Sequence, residues 1–309
     1  MIRKFLKISA VFLIVFFILS YIAIEHVLPY SPIKPVRRVA KNNPAFFQGK
    51  IFPADYGLSG KRIEIITSDS LKLAGYFLRT TQPKALGTMI LLHGISDCKE
   101  GNLGRAKFFC DAGYNAVIFD GRAHGESNGD FCTFGFYEKY DVCAVIDFIL
   151  KQDTNRNIGI WGSSLGGAIA LQAMGIDERL KFGIIESTFD ELNNVVKAYG
   201  ENLFGFSSTW LANTVLKKSG EIAHFNPDDV KPDKSAEHIH QPIFFAHGDA
   251  DEKIPLDFNK NNFDHCVSTQ KFFETVQNAH HQDVWSVGST IYQNKLLDFL
   301  KIFGRLKNE

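Results

Sequence analysis

Apolar positions along this chain fall into three rhythms, and each predicts a different kind of element. Six short runs are apolar almost throughout: 87–93 (GTMILLH), 115–120 (NAVIFD), 157–162 (NIGIWG), 182–187 (FGIIES), 242–248 (PIFFAHG) and 271–276 (KFFETV). Continuous runs of that length suit strands covered on both faces in a parallel sheet. Ahead of them, 61–67 (KRIEIIT) and 71–79 (LKLAGYFLR) flank Ser68-Asp69-Ser70 and predict an antiparallel hairpin. Helical spacing fills 102–112, 138–151, 165–175, 256–264 and 288–303. Strands alternating with helices predict an α/β domain, a mainly parallel central sheet with helices on both faces and right-handed crossovers.

The third rhythm is a single long one. Ile8 to Ile24 is an uncharged stretch of 17 residues behind Arg3, Lys4 and Lys7, at the short end of what spans a bilayer. It extends through Leu28 if Glu25 and His26 reach the interface. A cleavable signal peptide would need small residues before its cut, and Tyr21 and Ile22 near Ser20–Ala23 fit that poorly. The expectation is one uncleaved transmembrane anchor over 1–28, with the basic start in the cytoplasm and the folded domain outside it. The proline-rich stretch 29–57 is expected to be an irregular tether. The domain itself runs over 58–305, interrupted at 188–240 by about fifty residues without a clear strand, expected to form a small helical lid.

Bulk composition narrows the function classes. A hydrophobic share of 45% with 22% charged residues is that of a globular chain, and a formal net charge of zero leaves no electrostatic footprint for nucleic acid. The five cysteines (98, 110, 132, 143 and 266) show no metal-ligand or redox spacing. His238 and His240 make a poor metal pair without a third ligand nearby. No metal and no organic cofactor is expected.

The candidate chemistry sits at a bend. Gly162-x-Ser164-x-Gly166 lies between a predicted strand and a predicted helix, where a nucleophile elbow places a serine hydroxyl at the edge of a sheet. A serine hydroxyl needs a base, and the base needs an orienting acid. In elbow hydrolases these follow in the order serine, acid, histidine. Asp249 and Asp251 follow the run 242–248, and His280 and His281 follow 271–276. Each candidate therefore stands after its own strand, at the edge where α/β sheets build sites. An oxyanion hole would take the N–H of Leu165 and a second N–H from the loop after 87–93, where Gly94 lets the backbone turn and Ile95 is the candidate donor. His93, His124 and His247 are expected to be packed, hydrogen-bonded structural residues.

Taken together, these segments resemble the α/β-hydrolase superfamily, in particular its Bem46-like and serine-aminopeptidase-like serine hydrolases. The resemblance runs over about 50–305 and rests on LLHG (91–94), FDGRAHGESNG (119–129), GSSLGG (162–167), FFAHGDADEKIP (244–255) and NAHHQD (278–283). It implies Ser164 as nucleophile, Asp251 as the acid and His281 as the base. Two positions depart from the pattern, Ala123 and His280 standing where glycine is common. The implied activity is hydrolysis of carboxylic esters or thioesters with an apolar acyl group, with Phe189, Phe204 and Trp210 of the insert as expected acyl-binding residues. A serine peptidase is the alternative chemistry, and a non-catalytic membrane-tethered binding protein the alternative class.

Overall fold

The structure, a computed structural model, describes residues 2–152, 155–205 and 208–303. Its centre is one eight-stranded sheet of β1 (Ser59–Ile66), β2 (Lys72–Arg79), β3 (Thr88–Leu92), β4 (Asn115–Phe119), β5 (Ile158–Ser163), β6 (Leu180–Glu186), β7 (Ile243–Gly248) and β8 (Lys271–Val276). Their order across the sheet is β1-β2-β4-β3-β5-β6-β7-β8. β2 pairs antiparallel with β1 and with β4, and every other pairing is parallel. The burial pattern follows from the topology. β3 and β4, in the middle, are buried at every position, whereas only Ile63 and Ile65 are buried on the edge strand β1.

Successive residues of a strand face opposite ways, so the sheet feeds two cores. Ile90 and Leu92 join one cluster with α4 (Glu138–Gln152) and α5 (Leu165–Met174), against which α9 (Leu256–His265) also packs. Met89 and Leu91 join the other with α3 (Leu103–Asp111) and α10 (Val284–Phe303). The predicted helix 288–303 covers all of α10 but its first four residues. The helix begins earlier and breaks at Ser289, whose backbone turns to φ 47°.

The insert holds α6 (Leu192–Phe204), α7 (Thr209–Ala223) and α8 (Pro232–Ala236). α6 and α7 pack against each other. α8 packs on α5 and α9 with Ala236 and Ile239 fully buried, so the last part of 188–240 belongs to the body of the domain.

At the N-terminus, α1 (Ile2–Ile22) runs through a π-helical turn at Ala23–Val27 toward α2 (Tyr30–Ile33). From Lys7 onward this stretch is long and apolar enough to cross a membrane. The irregular tether expected over 29–57 is fastened to the domain as a strap. Ile33 is fully buried and its carbonyl accepts the Cys132 N–H at 2.8 Å. The Arg37 guanidinium donates to the carbonyls of Gly125, Ser127 and Gly129. Proline stiffness reads as a linker from sequence, and the partner carbonyls about ninety residues away cannot be seen there.

Candidate active site

β5 ends at Ser163, and the next residue carries the strain of the bend. Ser164 sits at φ 56° and ψ −121°, a conformation costly for a residue with a side chain. Its surroundings hold it there: its N–H donates to the Glu186 carbonyl at 2.9 Å, and Thr188 Oγ1 donates to its carbonyl at 2.7 Å. The flanking glycines are steric requirements. A Cβ on Gly162 would collide with the backbone of Gly166, and one on Gly166 with the carbonyl of Leu92. Gly94 needs no such licence, because a Cβ there would stand 3.6 Å from that of Ser164, an ordinary contact. The positive φ in that loop belongs to Ser96.

Three side chains from three strand ends meet at this bend. His281 Nε2 lies 3.0 Å from Ser164 Oγ, and His281 Nδ1 lies 2.7 Å from Asp251 Oδ2. Asp251 is saturated with donors: its Oδ1 accepts the N–H groups of Lys253 and Ile254, both at 2.9 Å. Burial opposes the charge of this inaccessible carboxylate. The hydrogen bonds from His247 and His281 outweigh that and hold it well below the usual carboxylate range. It therefore stays ionised and fixes the proton of His281 on Nδ1, leaving Nε2 bare toward the serine. The rival residues do other things. Asp249 accepts the Asn278 N–H at 2.6 Å, and the exposed His280 pairs with Glu252 at 2.7 Å.

Above Ser164 lies a cavity of about 510 Å³ whose wall includes Ile95, Leu165 and Phe189. Among the described residues, neither the Ile95 nor the Leu165 N–H has an acceptor, so both remain available to an oxyanion. The peptide carrying the Ile95 N–H is itself held. His93 Nε2 accepts the Gly121 N–H at 3.0 Å, which places the His93 proton on Nδ1, donating at 2.8 Å to the carbonyl of that peptide, Gly94 O. Trp210 does not share the wall. On a helix of about 3.6 residues per turn, Leu211, Ala212 and Val215 face the cavity, and Trp210 falls on the other side, 67% exposed. The side chain of Phe204 lies outside the described residues.

Two further residues support this arrangement in ways the sequence does not announce. His247 donates from Nε2 toward Asp251 Oδ2 at 3.1 Å and Ile254 O at 3.0 Å, so the packed strand-end histidine also braces the acid. Glu186 is buried and accepts from Trp161 Nε1 (2.7 Å), Trp285 Nε1 (2.8 Å) and Tyr292 OH (2.6 Å). Through Trp285 it ties the loop of His281 to the strand whose carbonyl holds Ser164. The only hint was an acidic residue closing an apolar run.

Cys98, Glu100 and Asp120 are close enough to share a cation. The Lys99 ammonium already fills that role, 2.8 Å from Asp120 and 3.1 Å from Glu100. His238 and His240 are exposed.

His124 packs against His93 with ring centroids 4.9 Å apart and bonds Arg122 O through Nδ1 at 2.9 Å. Burial, then His93, push its pKa down to about 3. The unfolded chain takes up this proton near pH 6.5 while the folded one refuses it until about 3, so stability falls as pH drops through that window. Between pH 7 and 5 the expected loss from this residue is about 2 kcal/mol. Urea unfolding of the full chain in detergent checks it: His124→Asn should remove most of the slope, and an unchanged slope would mean that His124 titrates normally.

Comparison with known proteins places these features in a family context. A family model described as X-Pro dipeptidyl-peptidase (S15 family) matches residues 97–240. The uncharacterised protein YqkD of Bacillus subtilis is 27% identical over 221 residues, 69% of this chain and 70% of that one. Protein bem46 of Schizosaccharomyces pombe is 24% identical over 262 residues, 80% of this chain and 79% of its own length. The solved esterase Pf2001 of Pyrococcus furiosus shares the fold with a TM-score of 0.71 at 24% identity, over 89% of this chain and 99% of that one.

Proposed function

We propose that this chain is an α/β-hydrolase, a membrane-anchored serine hydrolase of carboxylic esters or thioesters. The observation that carries this reading is the hydrogen-bonded series Ser164–His281–Asp251 at the floor of an apolar cavity. His281 Nε2 removes the proton of Ser164 as Oγ attacks the carbonyl, and the Leu165 and Ile95 N–H groups hold the resulting oxyanion. His281 then protonates the leaving alcohol or thiol, giving the acyl-enzyme. A water, deprotonated by the same imidazole, releases the acid. Asp251 keeps the imidazole in its tautomer throughout. Phe189 belongs to the acyl wall. The chain crosses the membrane once, with its catalytic domain on the extracytoplasmic side.

The S15 match favours a peptidase as second reading, but that match ends before Asp251 and His281. A peptidase that recognises a free amino terminus needs a carboxylate in its pocket. The cavity wall carries Lys197 and Lys253 and, among the described residues, no aspartate or glutamate. An ester fits that lining better than an ammonium.

Mass spectrometry of the detergent-solubilised full chain after fluorophosphonate treatment tests the reading. One adduct is expected on the wild type and none on Ser164→Ala. Absence of an adduct from folded wild type would favour the binding protein. Turnover of aminoacyl anilides in preference to p-nitrophenyl esters would favour the peptidase.

A further inference from the structure

The cavity above Ser164 has a wall that comes from neither the sheet nor the insert. Leu28, Ser31 and Pro32 line it beside α7, against which their segment packs. These residues follow directly on the apolar helix: Leu28 is four positions past Ile24, where the uncharged stretch ends, about 6 Å along a helix axis. The segment is fastened in place. Glu25 pairs with Lys218 of α7, and Ser219 Oγ of the same helix donates to the Pro29 carbonyl at 2.7 Å. Two apolar side chains along this wall and beside it face outward. Leu203, a wall residue, is 75% exposed, and Val27 beside Leu28 is 59% exposed. Large exposed apolar side chains mark a surface that meets another apolar phase. Here that phase lies where the chain's own spanning helix leaves it.

We propose that Leu28–Pro32 form the membrane-side wall of an acyl-chain site, and that the substrate is a single-chain acyl ester amphiphile entering it from the bilayer. The chain then passes from lipid to cavity without crossing water, and its ester carbonyl reaches Ser164 at the floor. Water cleaves the ester to a fatty acid and the head alcohol. The cavity volume falls in the range that holds one small ligand, and the anchor becomes part of the binding site. The proposal names the substrate class of the hydrolase proposed above and rests on that reading.

A binding measurement separates the two. The full chain carrying Ser164→Ala, in nanodiscs, is titrated with a monoacyl glycerophospholipid bearing a pyrene-dodecanoyl chain. Leu28→Trp, which fills the cavity, should weaken binding at least tenfold. Ile302→Trp, an exposed site on α10 outside the wall, should leave it within twofold. On the Ser164 background, Leu28→Trp should lower the ratio of kcat/KM for p-nitrophenyl dodecanoate over acetate at least tenfold. Leu28→Ala, which enlarges the cavity and keeps a helix-forming residue, should shift the preferred chain length upward. Binding and chain-length preference unchanged in both Leu28 variants would overturn the proposal while leaving the hydrolase reading intact. Weakened binding in a protein without turnover would do the reverse.

Discussion

Asp251→Asn is expected to lower kcat by about ten-thousandfold while leaving KM within a fewfold, the size of effect seen when a triad acid becomes an amide. The reason is visible in the donors around it. One oxygen faces the N–H groups of Lys253 and Ile254, and the other faces His281 and His247. All four positions demand an acceptor, so an amide NH2 opposes two donors in either orientation. If it takes the place of Oδ2, His281 must move its proton to Nε2 in order to accept from it. The nitrogen 3.0 Å from Ser164 Oγ then cannot take the serine proton. Steady-state kinetics on a p-nitrophenyl butyrate series, with fluorophosphonate labelling rates alongside, checks this. Both should fall together. A loss below tenfold, in a variant that keeps its circular dichroism spectrum, would mean that another group orients the imidazole and that Asp251 is structural.

Much of this site could be read from the chain because its logic is local or ordinal. The elbow announces itself through Gly162 and Gly166, which the backbone needs at fixed spacing around one strained residue. Asp251 and His281 follow strands, and strand order carries them to the same sheet edge. What could not be read depends on direction or distance. Trp210 and Leu211 are neighbours with equal claims to an apolar wall, and only helix phase against the cavity separates them. His247 ends a buried strand, as a merely packed histidine would; its second role depends on where Asp251 folds back four residues later. The strap at 29–57 looked like a linker because its fastenings, Arg37 to the 125–129 carbonyls and Ile33 to Cys132, join segments far apart in sequence. Ala123 is a departure that the structure makes legible: it stands where the resemblance expects glycine, and its φ is 62°. The turn keeps a glycine conformation without the glycine.

Lys99→Met is expected to destabilise the domain by about 3–5 kcal/mol, the cost of stripping one partner from a buried ion cluster. For a domain of this size the corresponding fall in melting temperature is about 6–20 °C. The ammonium is 1% exposed and contacts Asp120, Glu100 and Glu126 at 2.8, 3.1 and 3.0 Å. Burial works against its charge, yet the attraction of Asp120 and Glu100 outweighs burial and raises its pKa above the ordinary lysine value. Methionine matches the stem in length and fills the space, so packing changes little and the loss reports the charge left behind on three carboxylates. Pairing Lys99→Met with Asp120→Asn should recover part of the loss, because the most buried of those carboxylates becomes neutral. Thermal unfolding of both variants in detergent reads the difference. A loss under 1 kcal/mol for the single variant would show that water reaches the cluster and screens it. The effect should also extend to catalysis. Lys99 opens the turn that follows the Gly94–Cys98 loop, and its own N–H donates to Asp120 at 2.7 Å. A cluster that anchors this loop to the end of β4 fixes the Ile95 N–H from one side, while His93 fixes it from the other. The stability of this part of the fold and the placement of its proposed oxyanion donor are therefore expected to fail together.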